Sequence, residues 1–307
     1  MKHILFIGDP HIRPDNTEEV DILIHEIQRL CESKHSYDMI VVGGDVMHYH
    51  ERVFTQAMNK ALEFVDKMRR IAPTYVLVGN HDAINNSIFL TDHHWMNALK
   101  HWDNVHIVDN VLTVDDNILL CPYVPPGRLI EAIETVDPDG WMYKQLIFAH
   151  QEIKGCRMGA IVSEHGDQWN DTYPILISGH IHDHQRIGEN VYYPGTPLQH
   201  SFGDSDIRVV ASITMNDDND DNNPSITFLP LNVPRKQIVK TTMKDLSTSI
   251  SNLSNDKNLK VKLDASTTEF SAFKQTTEYK ELVKKGVKFQ LHAQNKKLNN
   301  EDQNDND

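Results

Sequence analysis

The sequence predicts an α/β fold, and three observations carry the prediction. Five short apolar runs, "HILFIGDPH", "MIVVGGD", "YVLVGNHD", "QLIFAH" and "PILISGH", each end in a small residue followed by polar chemistry. Helical patterns lie between several of them. From about residue 190 the text changes to short strands separated by turn signals. Strands alternating with helices indicate βαβ units and a parallel sheet. In such sheets ligands bind beyond the carboxyl ends of the strands, so five polar clusters should meet at one rim.

In chain order, the first run is a strand stopped by Asp9, and Asn16 stands where a helix cap belongs, before an apolar stripe over 17–33. Residues 53–72 and 88–100 also read as helices. Their stripes predict core packing, with a homodimer contact as the alternative. Within the second, "DHHW" (92–95) invites a metal reading. Adjacent histidines on a helix diverge, so a surface position is expected. "NVYYPG", "IRVVASITM" and "SITFLPL" predict an antiparallel half, with "NDDNDDNNP" as a low-complexity hairpin loop. After Pro234, "NLKVKLD" reads as a strand and "EFSAFKQTTEYKELVKK" as a helix. The expected organisation is a catalytic domain over 1–234, a small α+β cap over 235–292 and a disordered acidic tail over 293–307.

The formal net charge of −14 hides a division. Residues 1–234 carry 16 Lys+Arg against 34 Asp+Glu, net −18, whereas 235–297 carry 14 against 6, net +8. Such asymmetry suggests two regions with different tasks. Cys31, Cys121 and Cys156 are odd in number and irregularly spaced, which argues against a disulfide framework. They read as inert small hydrophobes. No signal peptide or membrane span is visible, so a soluble protein of the cytoplasm or nucleus, with no membrane partner, is expected.

The strand ends supply Asp9 and His11, Asp45, Asn80 and His81, His150, and His180 with His182. Imidazole nitrogen with carboxylate and amide oxygen suits manganese, iron or zinc, and the lack of cysteine argues against a structural zinc site. Residues two apart in extended chain point the same way, so Asp9/His11 and His180/His182 can each grip from one strand end. Preceding glycines, Gly8, Gly44, Gly79 and Gly179, permit tight turns and close approach. His50, His184 and His200 lie near these motifs and are read as solvated or supporting residues.

In their order and spacing, "GDPH", "GGD", "GNHD", "AH" and "SGHIH" resemble the calcineurin-like metallophosphoesterases over nearly all of 1–205. "GGDVMHYHERV" and "YYPGTPLQHSFGD" are similar to the SbcD-type double-strand-break repair nucleases, including compact viral or phage members. The resemblance implies a four-layer sandwich with a small C-terminal α+β cap. It implies two divalent ions, manganese first, with magnesium, iron or zinc as alternatives. Asp9, His11, Asp45 and His182 would hold one; Asp45, Asn80, His150 and His180 the other. His81 would be the general acid and His48 would orient the scissile phosphate. The implied function is DNA exonuclease and single-strand endonuclease, with DNA as partner through Lys236, Lys240, Lys257, Lys260, Lys262, Lys284, Lys285 and Lys288. A phosphoprotein or small-molecule phosphoesterase is the rival enzyme, and a scaffold without catalysis the other alternative. Family members also bind an SbcC-type ATPase through a helical segment beyond the cap. Here a polar tail follows residue 290, and "IRPDN" replaces the usual continuation of the first motif.

Overall fold

The computed structural model describes residues 1–33, 36–215, 224–251 and 257–293. Residues 216–223, where a hairpin loop was expected, and those from 294, where a disordered tail was expected, lie outside these. The chain divides into two compact units, one of Met1–His200 with Asp204–Pro234, the other of Ser201–Gly203 with the chain from Arg235.

The first unit contains two six-stranded sheets. Its elements are β1 (Lys2–Ile7), α1 (Thr17–Ser33), β2 (Met39–Val42), α2 (Thr55–Arg69), β3 (Thr74–Leu77), a 3-10 helix (Trp95–His101), β4 (Val105–Val108), β5 (Leu112–Asp115), β6 (Ile118–Cys121) and α3 (Leu129–Glu134). Then follow β7 (Leu146–His150), a small hairpin of β8 (Arg157–Met158) and β9 (Ile161–Val162), β10 (Ile175–Gly179), β11 (Gln185–Ile187), β12 (Val191–Tyr193), β13 (Val209–Met215) and β14 (Ser225–Pro230). One sheet runs β14-β13-β1-β2-β3-β4 and the other β11-β12-β10-β7-β6-β5.

Side-chain alternation builds the layers. Ile4 and Phe6 of β1 point into an apolar filling shared with Ile118, Leu120, Phe148 and Ile177 of the other sheet. Phe6 and Phe148 stack there at 5.6 Å. Leu5 and Ile7 point the opposite way, into a core with Leu23 and Ile27 of α1 and Phe64 and Met68 of α2. Leu119, Ile147 and Leu176 likewise meet Leu129, Ile133 and Trp141 behind the second sheet. The result is helices, sheet, sheet, helices: four layers. Strands covered on both faces read as continuous apolar runs, which is why these runs were conspicuous. Each fully buried Leu, Ile or Phe contributes about 1.5–3 kcal/mol to holding the layers together.

Several expectations change in detail. Helix α1 occupies 17–33 as expected, but the Asn16 side chain turns back to accept from Arg13 N–H and donate to the His11 carbonyl. The stripe of α2 (Ala57, Ala61, Phe64, Val65, Met68) is core. Only 95–101 of the third predicted helix is helical, as a 3-10 turn. His94 precedes it with a fully buried side chain, accepting from Met96 N–H and pairing with Asp109, so it is not a surface residue. Strand β12 pairs antiparallel with β11 on one edge, as the sequence suggested, but parallel with β10 on the other. No helix among the described residues is long and apolar enough to cross a membrane.

In the second unit β15 (Arg235–Thr242), β16 (Lys257–Ala265) and β17 (Lys288–Ala293) form a parallel sheet, with α4 (Leu246–Ser251) in the first crossover. The second crossover holds two helices, α5 (Thr267–Phe273) and α6 (Thr277–Lys284), where one was expected. Thr276 divides them by accepting from Tyr279 N–H and donating to the Phe273 carbonyl. Ser266 and Glu269 form a reciprocal capping box on α5. Val239, Leu259, Val261, Leu263, Phe289 and Leu291 pack with Phe270, Phe273 and Leu282 on one side of this sheet.

Candidate active site

The five polar clusters follow β1, β2, β3, β7 and β10, and their side chains do converge. The β1 and β2 loops run together through His11 N–H to Asp45 carbonyl (3.0 Å) and Ile12 N–H to Val46 carbonyl (2.8 Å). His11, Asp45 and His180 have left-handed backbone, with φ of 45°, 47° and 75°. That conformation turns each strand end sharply enough to aim its side chain back at the centre. It is uncommon for residues other than glycine. Gly44 (φ 105°) continues the β2 turn, and a Cβ there would press on the His150 ring. At Gly79 a Cβ would strike the Asp45 carboxylate.

Two groups of donor atoms gather proposed ligands, Asp9 with His11 and His182, and Asp45 with His150 and His180, and a third joins His11 to His48 and His81. Asp45 Oδ2 lies 3.6 Å from His11 Nε2 and 3.4 Å from His150 Nε2, between the two. Asn80 Oδ1 is 3.0 Å from both His150 Nε2 and His180 Nδ1. His11 Nε2 and His182 Nε2 are 3.1 Å apart. The eight positions singled out from sequence, counting His81, therefore occupy one neighbourhood.

His81 is held at its edge. Its backbone N–H donates to Asp45 Oδ1 at 2.8 Å, Nδ1 meets the His48 carbonyl, and Nε2 lies 4.0 Å from Asp45 Oδ2. Nδ1–H donation to that carbonyl leaves Nε2 to work toward the centre. The His48 Nδ1 lies 3.3 Å from the outer nitrogen of His11, so it also supports that ring.

Of the three histidines expected to be solvated or supporting, two pack on the site, while Tyr123 and Asp82 are contributors that the sequence did not single out. His50 stacks on His81 at 4.2 Å, and His200 packs against His11 at 4.7 Å and His182 at 5.3 Å. Both are supporting residues. His184 faces Phe228 and meets the Tyr193 carbonyl. Tyr123, two residues beyond β6, leans on His180 at 5.7 Å. Asp82, fully enclosed, accepts from the Gly79, Val46 and Met47 N–H groups and from Trp95 Nε1, tying the β2 and β3 loops together.

A family model described as calcineurin-like phosphoesterase matches residues 2–196. The chain belongs to the calcineurin-like phosphoesterases. "Putative phosphoesterase 244L" of Invertebrate iridescent virus 6 is 42% identical over 274 residues, covering 88% of this chain and 96% of that one. "Putative phosphoesterase 078R" of Invertebrate iridescent virus 3 is 40% identical over 291 residues, covering 92% and 82%. A solved structure, hypothetical protein PH1004 from Pyrococcus horikoshii OT3, aligns over 94% of this chain and 100% of its own at 10% identity. Its TM-score of 0.37 is too low to bear on the fold.

Calcineurin-like phosphoesterases work with two divalent metal ions, and the residues here fit that requirement. Asp9 Oδ1 is buried and meets no hydrogen-bond donor. The imidazole pair His11/His182 has its ring nitrogens facing each other, which two neutral acceptors tolerate only with a proton or cation between them. Donor separations of 3.0–3.6 Å are those of adjacent ligands in a shell of radius about 2.0–2.2 Å. Asp9, His11, Asp45 and His182 would hold one ion, and Asp45, Asn80, His150 and His180 the other. When bound, the pair neutralises phosphate charge and activates water for in-line displacement.

Electrostatics prepare the donors for cations. Burial raises the Asp9 carboxyl far above the usual carboxylate range. Burial opposes charge on Asp45 also, but the His150 and His11 rings outweigh it and hold Asp45 well below that range. His150 is raised because Asp45 and Asp9 overcome its own burial. His11 is lowered by burial, and His180 falls to about 3 through burial and His150. A cation requires Asp9 ionised and His150 neutral, so loading must displace protons. Affinity should therefore rise with pH through these raised values and weaken as pH falls. Manganese titration calorimetry near pH 7, in buffers of different ionisation enthalpy, should show net proton release. Zero release would mean that the assigned protonation states are wrong.

The calcineurin-like phosphoesterase carries no reactive thiol at this centre. Cys121 and Cys156 are buried and Cys31 partly so, and burial pushes the Cys31 and Cys156 thiols up to about 11.

Proposed function

We propose that this metal-dependent phosphoesterase cleaves DNA phosphodiesters, as an exonuclease and single-strand endonuclease in recombination or repair. The observation that carries the reading is a basic face in the second unit. In register, Lys240 stands beside Lys262, and Lys260 beside Lys288. With Lys236, all occupy the side of the sheet opposite the apolar, helix-packed one. Neighbouring strands are about 4.8 Å apart, and alternate residues along one strand about 6.6 Å. The 6.6 Å repeat is about twice the roughly 3.4 Å axial rise per phosphate of one DNA strand. Lys284 and Lys285 end α6 and belong to the helical side, so they do not share this face. The side chain of Lys257 lies outside the described residues.

A catalytic region of net −18 repels DNA everywhere except at its cations, so a second, basic element is needed to retain a polyanion. Replacing Lys240, Lys260, Lys262 and Lys288 by Gln should flatten the log–log salt dependence of duplex binding by about 0.9 for each phosphate no longer neutralised. Hydrolysis of bis(p-nitrophenyl) phosphate should be unchanged. Equal DNA digestion and an equal salt slope would discard this face as the DNA-binding element. The decisive assay is digestion of labelled single- and double-stranded DNA with manganese and with magnesium, manganese being the ion we favour.

The acidity of residues 1–234 favours one rival, a phosphoprotein or small-molecule phosphoesterase. That enzyme would show no DNA binding at raised salt. An SbcC-type ATPase is the partner proposed with the nuclease reading, and the two viral relatives support action in an infected cell.

A further inference from the structure

Beside the metal-ligand cluster lies a cavity of about 290 Å³. Tyr49, Glu51, Val53, Ile84 and Trp95 line it, and His81 is part of its wall. His81 thus touches both spaces, with Nε2 4.0 Å from the Asp45 carboxylate and the same ring bounding the cavity. A leaving group protonated at His81 would lie within reach of this cavity, which the same ring bounds.

The walls specify what can follow. Tyr49, Val53 and Ile84 are 41%, 52% and 38% exposed, so three large apolar side chains stand in water rather than in the core. Tyr49 is steadied by Phe54, with ring centroids 5.1 Å apart. Trp95 is fixed by its Nε1 hydrogen bond to buried Asp82 at 2.9 Å. Glu51 is in left-handed backbone (φ 53°), a conformation that a side chain adopts at a cost, and it lines the cavity. Acidic Glu51 and the apolar walls disfavour a phosphate here, the Asp82 carboxylate being already taken up by four protein donors. This lining suits an uncharged ring that carries N–H donors between aromatic and aliphatic walls. The volume is at the small end of ligand pockets, which span about 300–1,000 Å³.

We infer that this cavity is a subsite for the nucleobase of the leaving-group nucleotide, the residue whose sugar oxygen His81 protonates. The inference rests on the nucleic-acid reading and deepens it. The site would discriminate base-bearing from abasic leaving groups while the metal centre itself is indifferent to them.

The test uses the full-length, manganese-loaded protein and two dinucleoside phosphates, one with a base and one with an abasic sugar on the leaving side. Wild type should prefer the base-bearing substrate in kcat/KM by roughly 5- to 150-fold, the range of one base–aromatic stack. Tyr49→Ala and, separately, Ile84→Ser should abolish the preference and leave bis(p-nitrophenyl) phosphate turnover unchanged. A second readout needs no turnover: deoxyadenosine should quench tryptophan fluorescence in wild type and much less in Trp95→Phe. Equal cleavage of both dinucleotides by wild type overturns the subsite but not the nuclease reading. Cleavage of bis(p-nitrophenyl) phosphate with neither dinucleotide cut overturns both.

Discussion

Asp45→Ala is expected to bring phosphodiester hydrolysis to background and to reduce bound divalent ions below two per chain. The carboxylate stands between both donor groups, 3.6 Å from His11 and 3.4 Å from His150, and its other oxygen fixes the His81 backbone. One substitution therefore removes the shared ligand and loosens the acid, a combined loss above the about 10²–10⁴-fold of acid catalysis alone. The fold should persist, because the Asp45 carbonyl still receives His11 N–H. Asp45→Asn separates the two effects, since an amide oxygen can keep the His81 contact without the charge. Metal analysis and turnover of the folded variant decide the matter. Wild-type activity in Asp45→Ala would show that the assigned centre is not the reacting one.

His81→Ala should retain both ions and lose about 10²–10⁴-fold in kcat on DNA, the usual contribution of a positioned general acid. Its ring contacts the edge of the cluster, and its Nδ1 is engaged by the His48 carbonyl, so removing it leaves all seven proposed ligands in place. An aryl diester with a good leaving group needs little protonation and should suffer much less. That contrast distinguishes an acid from a residue that merely shapes the site. If the variant instead loses metal, His81 is a ligand and the division of roles must be redrawn.

The parts legible in sequence were those with strong local signals. Strands buried on both sides announce themselves as apolar runs, and α1 has a stripe that ends where its helix ends. Ligand-type residues at strand ends are visible because α/β topology places those ends together. What escaped depends on distant partners. His94 looked superficial because nothing nearby reveals Asp109, which takes it into the interior. Tyr123 follows β6 with no ligand-type signal, yet the fold brings it against His180. The break at Thr276 depends on a hydroxyl choosing to cap rather than to point outward, which periodicity does not register. The lysine face needed strand register, since five scattered lysines form a surface only when β15, β16 and β17 align.

The left-handed backbone at His11, Asp45 and His180 sets durability against catalysis. Each such residue costs about 1–3 kcal/mol, least for aspartate, and the cost falls on the folded chain whether or not it turns over substrate. Glycine would adopt the same angles freely. Laboratory evolution that rewards heat resistance alone should therefore enrich His11→Gly and His180→Gly, yielding hardier but inactive proteins. Selection for heat resistance and hydrolysis together should leave these positions untouched and find its gains far from the rim, in the helical layers.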